Sequence, residues 1–69
     1  MPVIERKSFA CIADGVAEYF KRGFVSDPTS SDMHGRIMYR PRDRREVWIR
    51  HDGKAAKERF LNVVATVVD

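Results

Sequence analysis

The sequence has little cysteine and no long hydrophobic run. Cys11 is the only cysteine among 69 residues, which excludes an internal disulfide and a cysteine-based zinc cluster. Apolar runs stay far below the roughly 20 residues that cross a bilayer. Residues 1–7 also lack the apolar core of a signal peptide. We therefore expect a cytoplasmic protein with no membrane partner.

The chain is also too short for more than one domain. Domains of this size bury only about 60% of the surface that the unfolded chain exposes, so the core should be thin. A single domain over residues 1–69 excludes a large enzyme with a deep cleft. A thin core also leaves a homodimer open.

Arginine is concentrated in one segment. Residues 36–50 contain six arginines against two acidic residues, whereas the whole chain has a formal net charge of +3. The planar guanidinium group pairs with phosphates and carboxylates and stacks on aromatic rings. We therefore expect the partner to be nucleic acid, with RNA favoured, or a protein with an acidic or nucleic-acid-binding surface.

The hydrophobic period of residues 8–22 predicts an amphipathic helix. Ser8 is placed to cap its start, and Gly23 can take the left-handed conformation that ends a helix. We expect the apolar face to pack against the core. This face carries Phe9, Ile12, Ala13, Val16 and Phe20.

Two segments with period-two alternation predict a β-hairpin. Residues 36–40 and 46–50 are the strands, residues 41–45 form the turn, and a short strand at 24–26 precedes them. Alternation assigns each side chain to one of two faces. The expected buried face carries Ile37, Tyr39, Val47 and Ile49, and the expected exposed face carries Arg36, Met38, Arg40, Glu46, Trp48 and Arg50.

Residues 53–67 predict a second amphipathic helix capped by Asp52. On a helical wheel, Val63, Val64 and Val67 share its apolar face. The valine-rich end also suits a strand that extends the sheet or pairs with another chain. A short strand at 2–5 is a further option. The expected fold is α+β, with a helix, a three-stranded antiparallel sheet and a second helix in that order.

The candidate binding residues follow from this arrangement. Guanidinium groups would contact phosphates, Trp48 or Tyr39 would stack on a base or pack on a sugar, and residues 41–45 would form a basic finger. Two lysines fall at the start of the second helix, where an anion is favoured. The full set is Arg36, Arg40, Arg42, Arg44, Arg45, Trp48, Arg50, Lys54 and Lys57.

His34 is the one candidate catalytic residue. It lies in a polar loop beside the basic sheet, where a general acid or base could act on a phosphodiester. The alternative is an ordinary loop residue, because the spacing places no second catalytic group. The other histidine, His51, and the acids Asp32 and Asp52 form no metal motif, so we expect neither a metal nor another cofactor.

The order of elements resembles that of double-stranded-RNA-binding domains. Such domains open their second helix with Lys-Lys-x-Ala-Lys, and residues 53–57 read Gly-Lys-Ala-Ala-Lys, which matches all but the first position. This resemblance implies that Lys54 and Lys57 hold phosphates across a groove and read duplex shape. The chain is also similar to HicA-type mRNA interferase toxins in its size, its Gly23-Phe24 pair and its loop histidine. That resemblance implies that His34 is catalytic.

The sequence therefore leaves three alternative functions open. The first is a nucleic-acid-binding module for structured or double-stranded RNA. The second is a compact inhibitor or adaptor, of the kind that phages and mobile elements encode, which binds a host protein through the same Arg/Trp face. The third is a ribonuclease toxin that uses His34. The lack of a catalytic constellation favours the two non-enzymatic functions.

Overall fold

The computed structural model describes residues 2–26, 35–51 and 62–69. These residues form one helix and five strands, and the strands make a single antiparallel sheet in the order β1-β5-β4-β3-β2. The helix packs on one face of this sheet. The elements are β1 (Val3–Phe9), α1 (Ile12–Lys21), β2 (Val25–Ser26), β3 (Gly35–Arg40), β4 (Arg45–His51) and β5 (Val63–Val68).

The expected order of helix, three-stranded sheet and helix is wrong. The chain enters the sheet through β1 before α1 begins, and the end of the expected second helix is the strand β5. All but one of the six residues of β5 are β-branched, and such side chains are stiff and fit a pleated sheet better than a helix. Residues 53–61 of the expected helix lie outside the described residues.

The first helix begins later than expected and ends as expected. Ser8 belongs to β1, so its expected role as the cap is wrong, and Cys11 takes the N-cap position without a side-chain hydrogen bond. At the other end, Gly23 has φ +94°. This confirms the left-handed glycine stop, which L-residues with a Cβ rarely adopt.

The face of α1 that contacts the sheet overlaps the expected one only in part. Ile12 and Val16 pack against the core as expected, but Ala13 and Phe20 are exposed. Gly15 and Tyr19 are buried, whereas Phe20 is 67% exposed. A Cβ on Gly15 would lie 3.1 Å from Cγ2 of Ile49 and 3.4 Å from Cδ2 of Phe9. The missing side chain therefore lets the α1 backbone approach the sheet and turns Phe20 away from the core.

The core lies between α1 and the sheet face that α1 covers. Tyr19 makes edge-to-face contacts with Phe9 and Phe24, with ring centroids 6.1 and 5.6 Å apart. Burial raises the pKa of the Tyr19 hydroxyl to about 12. The buried sheet residues of this core are Met38, Val47, Ile49, Val63, Ala65 and Val67.

The hairpin is present, but its expected register is wrong. Met38 pairs with Val47 and Ile37 pairs with Trp48, and directly paired residues share a face. The turn contains only residues 41–44, because Arg40 already pairs with Arg45. One residue fewer in the turn moves every β3 side chain to the other face relative to β4. Met38 is consequently buried, and Tyr39 is exposed.

Ion pairs hold the flank of α1 against β1. Arg22 Nη1 lies 2.9 Å from Glu5 Oε1, and Lys7 Nζ lies 2.9 Å from Glu18 Oε2. The hydrogen bond from Lys7 holds the pKa of Glu18 below its ordinary 4.5. These ion pairs determine which side of α1 faces β1. The opposite side of α1 carries no charged residue over most of its length. Within the described parts of the chain, no helix is long and apolar enough to span a bilayer.

Candidate nucleic-acid interface

The sheet face opposite α1 carries the candidate site, and we call it the open face because no described element packs against it. Its side chains follow from the register of the five strands. They combine aromatic, aliphatic and basic groups. The open face includes Arg6, Ser8, Val25, Ile37, Tyr39, Glu46, Trp48, Arg50, Val64, Thr66 and Val68.

Trp48 lies at the centre of this face. It pairs with Ile37 on one side and with Thr66 on the other, and Thr66 in turn pairs with Arg6. Neighbouring strands lie about 4.8 Å apart, so these four residues form one row across four strands. Trp48 remains 37% exposed in the middle of this row. A large aromatic surface is therefore presented to solvent beside a basic group.

Arg50 and Tyr39 complete the aromatic centre. The guanidinium carbon of Arg50 lies 5.0 Å from the centroid of the Trp48 ring, which is a cation–π distance. Tyr39 is 43% exposed and pairs with Glu46, the residue two before Trp48. Diagonal neighbours of this kind lie about 7–8 Å apart, so the two rings share one surface.

The hairpin turn adds two exposed arginines next to this surface. Arg42 and Arg44 lie in the turn, at the end of the hairpin where Tyr39 and Glu46 pair. Arg44 has φ +58°, and its N–H donates to the carbonyl oxygen of Arg40 over 2.9 Å. Neither side chain forms an ion pair with the described residues. Both guanidinium groups are consequently available for an external anion.

Arg40 stabilises the turn. Its Nη2 and Nε donate to the Asp43 carboxylate over 2.7 and 3.0 Å, and its Nη1 donates to the Arg22 carbonyl oxygen over 3.1 Å. The guanidinium carbon also lies 4.6 Å from the centroid of the Phe24 ring. These hydrogen bonds hold the pKa of Asp43 below its ordinary 3.8. Three hydrogen-bond donors of the Arg40 side chain are therefore used within the fold.

The structure also separates Arg45 and Arg36 from the open face. Arg45 Nη1 lies 3.7 Å from Asp43 Oδ2, and Arg45 Nε lies 3.9 Å from Asp69 Oδ1. Arg36 pairs with Ile49, whose side chain contacts α1, so Arg36 is on the helix side of the sheet. Of the expected binding residues, Trp48 and Arg50 meet on one surface, and Arg42 and Arg44 lie at its edge.

Three expected site residues fall outside the ranges that the structure describes. Lys54, Lys57 and His34 lie outside the described residues, so their phosphate-binding and catalytic roles stay predictions. Cys11 is exposed. In residues 2–26, 35–51 and 62–69, no group of three or more His, Cys, Asp or Glu side chains could hold a metal ion.

Sequence reasoning missed Arg6 and assigned Tyr39 to the wrong face of the sheet. Arg6 was missed because the helical pattern of residues 8–22 was the strongest signal near the N-terminus. Residues 3–7 nevertheless contain two β-branched residues, which could have indicated a full strand. Tyr39 was assigned to the buried face because the turn was taken as one residue too long. A four-residue turn, with Arg45 beginning β4, would have placed it correctly.

Comparison of the chain with protein-family models, with curated proteins and with solved structures found no match.

Proposed function

We propose that this protein is a small nucleic-acid-binding module that binds RNA on its open face. The observation that supports the proposal best is the exposed Trp48 ring with the Arg50 guanidinium group 5.0 Å from its centroid. Aromatic rings stack on nucleobases, and arginine combines stacking with phosphate contacts. The described residues place no acidic partner on Arg50, so its charge is available to a phosphate.

The same geometry favours RNA with unpaired bases. A sheet face that exposes Trp48 and Tyr39 can stack bases that are splayed out of a helix. In a duplex the bases stack on one another, so the rings would have nothing to stack on. The preference for double-stranded RNA depended on Lys54 and Lys57, which lie outside the described residues. We therefore propose single strands or the loops of structured RNA, with duplex RNA as the comparison ligand.

Four arginines would hold the phosphate backbone around the stacked bases. Arg6 ends the Trp48 row on β1, Arg50 lies two residues from Trp48 on β4, and Arg42 and Arg44 extend from the turn beyond Tyr39. Contacts of this kind release counterions from the nucleic acid, so affinity falls as salt rises. Stacking on Trp48 adds a contribution that salt changes little.

The first prediction concerns Trp48. Trp48 is the only tryptophan, so its intrinsic fluorescence reports directly on stacking. We expect single-stranded RNA to quench this fluorescence and to bind more tightly than duplex RNA or duplex DNA. Trp48→Ala should weaken binding by roughly 1–3 kcal/mol, the range for one base stacked on one aromatic ring. Trp48→Phe should retain most of the affinity. The measurement is fluorescence anisotropy of labelled RNA at about 50 and 200 mM salt.

Phe20→Ala is the matched control. Phe20 is an exposed aromatic residue on α1, on the other side of the molecule from the open face, so its truncation should leave RNA affinity unchanged. Tighter binding of duplex RNA that is unaffected by Trp48→Ala would contradict the stacking mechanism. Absence of salt-sensitive binding to any nucleic acid would overturn the proposed function itself.

The exposed apolar part of the open face favours a second candidate function. Val25 and Tyr39 are paired and are 38% and 43% exposed, next to Trp48 and Arg50. Tryptophan, tyrosine and arginine are enriched in the energetic centres of protein interfaces. An inhibitor or adaptor that binds a host protein would use this same surface. In that case, Trp48→Ala would abolish capture of a partner that survives nuclease treatment.

A further inference from the structure

A groove runs along the side of α1 that faces away from β1. It has a volume of about 610 Å³ and is lined mainly by apolar side chains from successive turns of the helix. Phe20, which the core does not use, forms one of its walls and is 67% exposed. We call this feature the α1 groove. Its apolar residues are Ile12, Ala13, Val16, Ala17 and Phe20.

Two basic residues border the α1 groove. Lys21 lies on α1, and Arg36 lies on β3 below the helix, so the positive charges come from two different elements. Both side chains are exposed, and neither forms an ion pair with any residue in the described ranges. The acids Glu5 and Glu18 lie on the β1 side of the helix and are already paired with Arg22 and Lys7.

We propose that the α1 groove binds an acidic amphipathic helix of a partner protein. An amphipathic helix lays its apolar face into a groove of this kind, with anchors spaced by one helical turn. Acidic residues flanking those anchors would pair with Lys21 and Arg36, because opposite charges across an interface set orientation and partner choice. A basic helix would bring like charges together and be rejected.

The α1 groove and the open face belong to opposite sides of the sheet. Arg36 and Ile49 are paired and belong to the helix side, whereas Trp48 belongs to the other. Peptide binding in the groove is therefore independent of RNA binding, and either proposal can fail while the other holds. A partner seated in the groove would leave Trp48, Arg50 and the turn arginines accessible.

The test uses the full chain and two synthetic peptides. Both form an amphipathic helix with leucines on one face, and glutamates flank the leucines in one peptide and lysines in the other. We expect the glutamate peptide to bind at least roughly tenfold more tightly than the lysine peptide. In ¹H–¹⁵N spectra it should shift the amide signals of Ala13, Ala17 and Phe20 and leave that of Trp48 in place.

A charge-reversal variant gives the decisive comparison. Lys21→Glu combined with Arg36→Glu should reverse the preference so that the lysine peptide binds more tightly. Arg6→Glu combined with Arg42→Glu changes the net charge by the same amount away from the groove and should keep the original preference. All four positions are exposed, and circular dichroism checks that each variant is folded.

Three outcomes would overturn the proposal. The first is no saturable binding of the glutamate peptide, and the second is a preference that the charge reversal leaves unchanged. The third is self-association through the groove, detected as a dimer in sedimentation that Ala17→Glu dissociates, because the occupant would then be a second copy of this chain. A reversed preference with signal changes confined to α1 and β3 supports it.

Discussion

At the scale of single residues, arginines in one segment have different environments and therefore different roles. Arg40 has three short hydrogen bonds and a ring contact, whereas the Arg50 guanidinium group lies over the Trp48 ring and forms no ion pair with the described residues. The guanidinium fork lets Arg40 join Asp43 to the carbonyl group of Arg22, which a lysine could not reproduce. Composition shows that arginine is abundant, but only tertiary contacts show which arginines are committed to the fold.

The Arg40–Asp43 pair predicts an acid-dependent loss of stability. Because the pKa of Asp43 is lowered in the folded state, its contribution is complete above its ordinary value of 3.8. The contribution disappears as the pH falls through the folded-state pKa. Asp43→Asn should therefore lower the melting temperature at pH 7, and its difference from the wild type should shrink below pH 3.8. Thermal unfolding followed by circular dichroism measures both effects.

Asp14→Asn is the control for this experiment. Asp14 is exposed in the first turn of α1 and makes no ion pair within the described residues. Its replacement should change the melting temperature much less at pH 7. Equal losses in the two variants would show that the Arg40–Asp43 pair contributes nothing particular to the turn.

At the scale of elements, β5 shows how one pattern can suit two structures. Val63, Val64 and Val67 share a face on a helical wheel, but on a strand Val64 lies on the opposite face from the other two. In the structure Val63 is fully buried in the core and Val64 is only half-buried on the open face. The β-branched composition of the segment favours the strand, and two neighbouring strands satisfy its backbone.

Alanine substitutions in β5 separate these two structures. Val63→Ala should lower the free energy of unfolding by about 2 kcal/mol, because it removes two methyl groups from the core and leaves a cavity. Val64→Ala should cost clearly less, since the side chain is half-exposed. Urea unfolding of both variants gives the comparison. Equal costs for the two substitutions would indicate a helical face and contradict the strand.

The sequence predicted the elements better than their pairing. The position of α1, the Gly23 stop and the hairpin were all visible, because amphipathic period, glycine and alternation are local signals. The first strand was visible only as a short option at residues 2–5, and the face of β3 was predicted wrongly, since both depend on partners distant in the chain. The turn length decided the β3 face, and a single residue there moved Tyr39 onto the open face. Arg6, Ile37 and Tyr39 were therefore assigned to the candidate surface only by the structure.

At the scale of the whole molecule, a sheet with α1 on one side divides the charges into two sets. On the helix side Lys7 and Arg22 are paired with Glu18 and Glu5, and these pairs fasten α1 to β1. Lys21 and Arg36 at the α1 groove are the exceptions on this side, since neither forms an ion pair with the described residues. On the open face and the turn, the described contacts of the arginines include no acid. The formal net charge of +3 understates this difference, because paired charges contribute little to the field outside the molecule.

This division predicts how single charges affect the salt dependence of RNA binding. Each phosphate contact with single-stranded RNA contributes about 0.7 to the slope of log K against log salt. Arg42→Gln and Arg44→Gln should each reduce the slope by about this amount if they contact phosphates. Lys7→Gln removes the same charge from a residue paired with Glu18 and should leave the slope unchanged. Titrations at four or more salt concentrations measure the slopes. Equal reductions in all three variants would mean that RNA responds to the net charge and has no defined site on the sheet.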